Sequence, residues 1–453
     1  MARRKKALPA RKDRFYPESL EDNRTRYQRD RDRILYTSAF RRLAGVTQVA
    51  SADEGHVFHN RLTHTLEVAQ VARRIAERLL TAYAGKSEQP DIDPDVAEGC
   101  ALAHDLGHPP FGHIAEKELD LLISNPAMRG FDPDGFEGNA QSFRIVTRLA
   151  LRTYDYDGLN LTRATLNGII KYPWLREGRI GKSTTVRVKQ KFSNKTDRNK
   201  KWAAYRSERE HFIWARELTP STEHDTPSLE AQIMDWADDI TYAVHDVSDF
   251  FRAGLVPLDR LGADSEDERD RFFDGTFDRT DWLQGFSRSE LISSFDKLRR
   301  LFPLRDRYSG SNEHRRALRL FTSGLIGECV TGVQLDSRNS RLVIPNKNRK
   351  EIIMLKQLTW HYVIINAALA TKQLGQKRII RELFDIFHAA TVRGEPEIFP
   401  VAYRELLEQA SNARERTRLV SDMIAGMTEQ QAINIHHKLS GINLGSVLDP
   451  LSR

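Results

Sequence analysis

The sequence of 453 residues predicts a mainly α-helical protein, on three observations. Long segments repeat apolar residues at intervals of three and four, which is the spacing of one face of a helix. Alternating segments are sparse, since only residues 184–188 and 341–345 show a pattern typical of short strands. The sequence contains no internal repeat and no low-complexity tract. We therefore expect a helical N-terminal part and an additional helical C-terminal region.

Each of the three strongest helices has its own signal. The first is predicted over residues 61–80. Its apolar stripe is formed by His64, Val68, Val71, Ile75 and Leu79. The second begins at Asp93, an N-cap residue followed by Pro94 in the first turn, and continues to His104. The third spans residues 228–251. Its apolar side is formed by Leu229, Ile233, Trp236, Ile240, Val244 and Val247.

Charge divides the chain into parts. Residues 1–25 are expected to form a basic, flexible tail, because seven of the first fourteen residues are Lys or Arg. Residues 26–260 contain the three helices and are expected to form one domain. An acid-rich stretch at 264–281 is interpreted as a surface connection, which leaves residues 261–453 as a helical C-terminal region.

Composition argues against several classes of protein. Hydrophobic residues make up 40% and charged residues 29%, as is usual for a soluble globular protein. The longest apolar stretch, near residues 362–370, falls short of the roughly 20 residues that a membrane span needs. The basic N-terminus lacks the apolar segment of a secretory signal. Two distant cysteines, Cys100 and Cys329, do not indicate a disulfide framework, so a cytoplasmic location is expected.

The net charge of +7 is concentrated in one predicted loop, residues 182–209. This loop contains ten Lys or Arg and two acidic residues, a local charge of +8. Clustered cations attract polyanions, so one interpretation is a site for a phosphate-rich partner. A solvated basic loop explains the composition equally well, and both interpretations stay open.

Six of the fourteen histidines lie in two short windows, which contain His56, His59 and His64, then His104, His108 and His113. His104 precedes Asp105, and two other His-Asp pairs, at 224–225 and 245–246, show that chance supplies some of them. The first pair differs because it ends an apolar helix and precedes a turn rich in Gly and Pro. Adjacent helical residues diverge by about 100°, so two of them can face one ion only where a helix ends.

Two further segments offer candidate ligands. His64 lies on an apolar stripe, where a histidine is more often structural than a ligand, but Asn60 and Arg61 at the same end of the helix favour a site. In the third helix, three residues spaced four apart share one face: Asp238, Tyr242 and Asp246. That pattern is typical either of a site or of a solvent-exposed acidic face.

Two imidazoles and two carboxylates from these three segments would form a mixed nitrogen and oxygen ligand set. Such a set is typical of Mn, Fe, Co, Ni, Zn or Mg rather than of a thiolate-type structural zinc site. A metal there would lower the pKa of a bound water and screen the charge of a phosphate. The sequence therefore predicts a metal-dependent site open to phosphate oxygens.

Three motifs, in this order, resemble the histidine–aspartate (HD) hydrolase superfamily and its deoxyguanosine triphosphate triphosphohydrolase branch. They are HNRLTHTLEV at 59–68, AHDLGHPPFGH at 103–113 and DDITYAVHD at 238–246. Further stretches that fit are found at 33–49, 157–174, 355–364 and 418–432. The resemblance thus extends from about Tyr27 almost to the C-terminus.

The resemblance implies an HD-domain helical fold and the hydrolysis of a deoxynucleoside triphosphate (dNTP) to deoxynucleoside and inorganic triphosphate. The metal ligands that it implies are His64, His104, Asp105 and Asp238. Asp238 is preferred to Asp239 because the family's Tyr and second Asp follow at four and eight residues. The implied ion is Mg²⁺ or Mn²⁺, with Co, Fe, Ni or Zn as alternatives.

The same resemblance implies catalytic roles for His113, its acidic partner Glu116, and His108. Substrate contacts are implied for Gln48, Arg61, Lys171, Tyr172, Tyr242 and Asp246. Gln48 would lie near the base, whereas Arg61 and Lys171-Tyr172 would contact the triphosphate.

Physical chemistry agrees with these roles. The nucleoside 5′-oxygen is a poor leaving group unless it is protonated, and His113 could donate that proton while Glu116 orients the ring. If a helix begins after Gly112, these two residues share one face. Tyr242 packed beneath the sugar would exclude a 2′-hydroxyl.

The sequence also leads to expectations about binding partners and to two alternative functions. The resemblance implies a homo-oligomer, often a hexamer, while a nucleotide activator and single-stranded nucleic acid at the basic segments are further candidate partners. One alternative is another HD phosphohydrolase, such as a nucleotidase or a cyclic-dinucleotide phosphodiesterase. Another is a nucleotide-sensing or nucleic-acid-binding protein with an idle site.

Overall fold

The structure is a computed structural model that describes residues 10–19, 22–48, 59–87, 89–176, 200–219, 223, 225–262, 266–279, 282–336, 341–365 and 367–443. The strand expected at 184–188, most of the basic loop and His56 lie outside these residues. The described residues are mainly helical, which confirms the predicted fold class.

Eighteen α-helices are found in the described part of the chain: α1 (Arg26–Leu35), α2 (Ser38–Arg42), α3 (Arg61–Ala82), α4 (Pro94–Ala103), α5 (His113–Ile123), α6 (Gly138–Arg144), α7 (Arg163–Ile169), α8 (Arg209–Arg216), α9 (Leu229–Arg252), α10 (Leu258–Gly262), α11 (Glu266–Phe277), α12 (Arg288–Leu298), α13 (Asn312–Gly332), α14 (Asn346–Thr359), α15 (Ala367–Arg393), α16 (Val401–Gln409), α17 (Ala413–Ala425) and α18 (Glu429–Leu439). Two short strands, β1 (Gln334–Asp336) and β2 (Arg341–Val343), pair antiparallel with Leu335 opposite Leu342. The strand expected at 341–345 is therefore present as β2.

The three predicted long helices are α3, α4 and α9, and each begins at a capping residue. Asn60, Asp93 and Ser228 accept hydrogen bonds from backbone N–H groups in the first turn of α3, α4 and α9, respectively. These bonds satisfy donors that would otherwise have no partner at a helix start. Because the caps and the apolar stripes agree, the sequence located these helices to within two residues.

The main apolar core forms where α3 packs against α4 and α9. Ile75 of α3 and Ile240 of α9 are fully buried in it. The same core continues through helices α10 to α14, whose buried members include Phe295 and Leu355. Residues on both sides of position 261 therefore share one core.

The acid-rich stretch at 264–281 is not the surface connection that its composition suggested. Its described part forms α11, which buries Phe272, Phe273 and Phe277 in the main core. These aromatic residues are spaced one and four apart and so lie on one face of the helix. The acidic residues dominate the composition but occupy the other face, and the prediction failed for that reason.

A second core joins α5 to the C-terminal helices α15, α17 and α18. Leu119 and Ile123 of α5 are buried in it together with Phe384 and Ile424. Polar contacts reinforce this junction, because Glu429 at the start of α18 accepts hydrogen bonds from the backbone N–H groups of Thr47 and Phe111 at 2.9 and 3.2 Å. The C-terminal helices thus support the turn that precedes α5.

The expected flexible tail is anchored where the structure describes it. Arg14 donates to the buried carboxylate of Asp30 at 2.7 Å and pairs by a backbone bridge with Thr162. Arg11 forms an ion pair with buried Glu230. Arg11 and Arg14 therefore form internal ion pairs, which composition alone could not show.

Among the described helices, none is by itself long and apolar enough to cross a membrane. One pair bent by 81°, Asn346–Ile364 with Leu369–Arg393, meets the requirement jointly, by length and composition alone.

Candidate metal centre and active site

Four predicted ligands converge between α3, the end of α4 and α9. His64 Nε2 lies 3.1 Å from Asp238 Oδ1. His104 Nε2 lies 3.8 Å from the same oxygen and 3.4 Å from Asp105 Oδ1. His64, His104 and Asp105 are buried. One ligand atom each from His64, His104 and Asp105 lies within 4.8 Å of the others. Asp238 from α9 approaches the two histidine nitrogens of this group.

The end of α4 explains how adjacent residues reach this point. The helix ends at Ala103, so His104 is its C-cap and Asp105 already belongs to the following turn. His104 Nδ1 lies 2.6 Å from the carbonyl oxygen of Ala101. A carbonyl oxygen only accepts, so Nδ1 carries a proton, and Nε2 is the nitrogen directed at the carboxylates. That buried Nε2 has no hydrogen-bond partner among the described residues.

These observations fit a divalent cation. A second hydrogen bond that fixes the tautomer and directs the free nitrogen inward is the usual arrangement of a metal-binding histidine. Burial raises the pKa of Asp105, but His104 and Arg61 outweigh burial and hold the pKa well below its usual range. For Asp238, burial raises the pKa, whereas Lys171 and a hydrogen bond from His64 lower it well below its usual range. Both carboxylates are therefore ionised at neutral pH, as cation ligands must be.

The two adjacent acids on α9 point to different partners. Asp238 faces the histidines, and its Oδ2 lies 3.2 Å from Lys171 Nζ. Asp239 instead forms an ion pair with Lys356 of α14. Lys171 also binds Asp235 at 2.6 Å. Of the two candidates, only Asp238 belongs to the ligand cluster in this geometry.

A second group of side chains lies beside the metal cluster, at the start of α5. Phe111 and Gly112 have φ of +66° and +59°, a left-handed turn that is rare for a residue such as Phe. After this turn His113 begins α5, and its Nδ1 lies 2.8 Å from Glu116 Oε2. The predicted face shared by these two residues is thus present.

His108 connects the two groups. Its Nδ1 lies 3.0 Å from Asp105 Oδ1, and its ring centroid lies 5.4 Å from that of His113. Burial and the charge of Arg61 lower the pKa of His108 to about 4, so its ring is neutral at neutral pH. The side chain of His113, in contrast, is 64% exposed and accessible to a substrate.

Sequence reasoning missed one basic residue of this site. Lys201 Nζ lies 2.7 Å from Glu116 Oε1 and 2.9 Å from Glu137 Oε1. Burial raises the pKa of Glu116, but the hydrogen bond from His113 and the charge of Lys201 hold it well below its usual range. Lys201 was included only in the charge of the basic loop. It lies 85 positions from Glu116, and no local pattern in the sequence indicates that the two residues are in contact.

Of the predicted substrate-binding residues, Arg61 and Lys171 contact the cluster directly. Arg61 is buried and donates from Nη1 to Asp105 Oδ2 at 2.6 Å. Tyr172 follows Lys171, and its ring centroid lies 6.0 Å from that of Trp174. Gln48 ends a described segment, and its Oε1 is buried without a described partner.

Tyr242 and Asp246 continue the face of α9 that carries Asp238. Tyr242 lies one turn further along, and Lys356 Nζ is 5.8 Å from its ring centroid. Asp246 is buried, and one of its carboxylate oxygens has no described hydrogen-bond partner. Burial and the charge of Asp249 raise its pKa well above the usual range.

The fold and the site define an HD-type phosphohydrolase. Residues 61–163 match the HD domain family, and residues 342–438 match a family described as a phosphohydrolase-associated domain. The HD match covers His64, His104 and Asp105 and ends before Asp238. The protein is accordingly a metal-dependent hydrolase with a helical HD domain.

Relatives narrow the family further. A deoxyguanosinetriphosphate triphosphohydrolase-like protein of Streptomyces coelicolor is 36% identical, over 96% of this chain and 97% of its own length. A protein with the same description from Corynebacterium glutamicum strain ATCC 13032 is 33% identical, over 91% of this chain and 91% of its own length. Another, from Caulobacter sp. strain K31, is 36% identical, over 94% of this chain and 93% of its own length. The chain belongs to this deoxyguanosinetriphosphate triphosphohydrolase-like family.

Proposed function

We propose that the protein hydrolyses deoxynucleoside triphosphates to a deoxynucleoside and inorganic triphosphate, with Mg²⁺ or Mn²⁺ as its cation. One observation carries this proposal: the His113–Glu116 pair lies beside the four-ligand cluster, with His108 between them. A cation site next to an exposed histidine is what a phosphoester cleavage needs when its leaving oxygen is basic. The names of the relatives support the same substrate class.

A bound cation would supply Lewis acidity and a water of lowered pKa. In the proposed reaction, water attacks the α-phosphorus and releases a proton to solvent as the bond to the 5′-oxygen breaks. That oxygen takes the Nε2 proton of the doubly protonated His113 ring, and solvent returns a proton to the ring after the products leave. Glu116 accepts a hydrogen bond from His113 Nδ1–H and thereby turns the other ring nitrogen outward. Lys201 holds Glu116 in its ionised form from the opposite side. The chain thus positions the proton donor before the substrate arrives.

Binding of the triphosphate is assigned to Arg61, Lys171 and Tyr172. The guanidinium of Arg61 uses Nη1 for Asp105, and its Nη2 lies near Gly112 at the turn before His113. Lys171 is anchored by Asp235 beside the metal ligand Asp238. Two fixed cations at this position suit the charge of a triphosphate better than that of a monophosphate.

The proposed function is tested by product analysis. Each dNTP is incubated separately with the protein and Mg²⁺ or Mn²⁺, and the products are separated by ion exchange. Release of inorganic triphosphate with an equal amount of deoxynucleoside is expected. Release of orthophosphate or pyrophosphate would instead assign the protein to another HD phosphohydrolase reaction. Nucleotide binding without any product would favour a sensor with an idle site.

Tyr242 is predicted to discriminate against ribonucleotides. It lies one turn from Asp238 and one turn from Asp246 on the same face of α9, where a ring can pack against the sugar. Tyr242→Ala is expected to lower the ratio of kcat/KM for dGTP over GTP by roughly tenfold or more, because a space opens for the 2′-hydroxyl. Tyr242→Phe, which keeps the ring, should retain the ratio. An unchanged ratio in Tyr242→Ala would remove this role.

A further inference from the structure

We propose that the chain carries a second divalent-cation site, with His59, Glu67 and His245 as its protein ligands. His59 Nε2 lies 3.2 Å from Glu67 Oε1, and His245 Nδ1 contacts Glu67 Oε2. One ligand atom from each of the three residues lies within 4.8 Å of the others. Ligand atoms around a tetrahedral zinc ion are separated by about 3.4 Å. The distance between His59 Nε2 and Glu67 Oε1 is close to this value, whereas the closer contact between Glu67 and His245 must open to admit the ion.

Asp249 completes the arrangement from the outer side. Its Oδ2 accepts a hydrogen bond of 3.1 Å from the backbone N–H of His59 and also contacts the ring nitrogen Nδ1. Because the buried carboxylate pairs with Nδ1–H, the ring is oriented with Nε2 towards Glu67. A carboxylate behind a histidine whose other nitrogen faces further ligands is the usual outer partner in zinc sites.

The His59 ring therefore has a carboxylate at each nitrogen. Nε2 and a carboxylate oxygen of Glu67 cannot both present lone pairs to each other at 3.2 Å without something positive between them. Either a second proton on the ring or a cation satisfies this requirement. The nitrogen of His245 faces the other oxygen of Glu67. A cation would bind His59, Glu67 and His245 together, whereas protons would join Glu67 to each histidine separately.

The second site is separate from the catalytic cluster but uses the same two helices. Glu67 follows the ligand His64 by three residues on α3, and His245 follows Asp238 by seven residues on α9. Seven residues correspond to about 10 Å along a helix, whereas the ions of two-metal catalytic sites lie about 4 Å apart. The two groups share no described residue, so each ion would have its own ligands.

The ligand set indicates the class of ion. Two imidazoles and one carboxylate favour Zn²⁺ or another late first-row ion over Mg²⁺, which prefers oxygen ligands. The three side chains are partly exposed, with 25%, 31% and 18% of the surfaces of His59, Glu67 and His245 accessible. An ion can therefore enter, and water can complete its coordination.

The position of the site points to a role in holding the active site together. His59 lies one residue before Asn60, the cap of α3, and two before Arg61, which binds Asp105. An ion bound to His59 and His245 would fix the start of α3 to α9 and would thereby fix Arg61. Little in the sequence indicates this role, because the pair at 245–246 is one of three His-Asp pairs, some of which chance supplies.

The test counts bound zinc rather than activity. Metal-free protein is dialysed to equilibrium against Zn²⁺, and zinc per chain is measured by mass spectrometry. Two ions are expected in the wild type, one in His245→Gln, one in the double variant His104→Ala with Asp105→Ala, and none when all three substitutions are combined. His437→Gln, a histidine of α18 outside both clusters, serves as the matched control and should keep two ions.

Two further variants replace a carboxylate by an amide of similar shape, so a loss of zinc in them is not explained by misfolding. Glu67→Gln preserves the shape of the side chain and should also lose one ion. Asp249→Asn leaves the three ligands in place and should weaken zinc binding at this site by about 10- to 100-fold. Equal zinc content in wild type, His245→Gln and Glu67→Gln would overturn the proposal and would leave His59 as a protonated bridge between two carboxylates. Because zinc is counted without substrate, a failure of the proposed function would not affect this outcome.

Discussion

Asp105→Ala is expected to abolish hydrolysis and to remove one bound cation per chain. Asp105 contributes a carboxylate beside His104 Nε2, and it pairs with Arg61 at 2.6 Å. Removing it takes away a metal ligand and leaves a buried guanidinium without its partner. We expect kcat/KM to fall by roughly 1,000-fold or more, which corresponds to about 4 kcal/mol of lost transition-state stabilisation. His104→Ala should behave in the same way.

Metal content and activity are measured together to test this expectation. Asp239→Ala provides the control, because Asp239 is an acid on α9 that pairs with Lys356 and not with the histidines. It should keep the full number of ions, whereas Asp238→Ala should lose one. If purified Asp105→Ala retained wild-type metal content and turnover, the assignment of the catalytic cation site would be refuted. If Asp238→Ala loses one ion and Asp239→Ala loses none, the result would support Asp238 as the ligand. A single variant could not exclude a general effect of removing an acidic residue from α9.

The parts of the fold that sequence predicted are those with local signals. The helices α3, α4 and α9 combine an apolar stripe with a capping residue, and both signals lie within a few positions. The Gly and Pro residues after His104 likewise predicted the turn that follows it. The prediction of a surface connection at 264–281 was wrong because it was based on the acidic composition of the stretch. The spacing of its aromatic residues, which predicts a helix with one apolar face, was not considered.

The parts of the site that the sequence did not predict depend on contacts between distant segments. Lys201 reaches Glu116 and Glu137 across 85 and 64 positions, and nothing in its neighbourhood marks it as a partner of either. Glu67 lies in the first predicted helix, and its contact with His245 spans 178 positions. Such contacts follow from packing, which one sequence without the fold does not specify.

The two matched regions of the chain are physically coupled. The phosphohydrolase-associated region supplies α15, α17 and α18, and these helices form the second core with α5, which begins at His113. Arg42 adds to this coupling, because its guanidinium donates to the carbonyl oxygens of His108 at 2.7 Å and Met427 at 3.0 Å. The C-terminal helices therefore hold the proposed proton donor in place, although they contribute no metal ligand among the described contacts.

His113→Ala is expected to keep every bound cation but to lose most of its turnover. The imidazole lies outside the four-ligand cluster, and its partners are Glu116 and, at a ring distance of 5.4 Å, His108. General acid catalysis by a positioned side chain contributes about 100- to 10,000-fold, so kcat should fall by that factor. His388→Ala replaces a half-buried histidine of α15 whose one described side-chain hydrogen bond is to the backbone carbonyl of Arg129, and it should leave both quantities unchanged.

The choice of substrate makes this test specific for proton donation. A nucleoside 5′-oxygen must be protonated as it leaves, whereas p-nitrophenolate leaves without a proton because it is a much weaker base. His113→Ala should therefore be strongly impaired towards a dNTP and far less impaired towards a p-nitrophenyl phosphoester. Equal impairment with both substrates would mean that His113 binds or positions the substrate rather than protonating the leaving group. Loss of metal from the variant would instead place the imidazole among the ligands, and the division between a cation cluster and a proton donor would no longer hold.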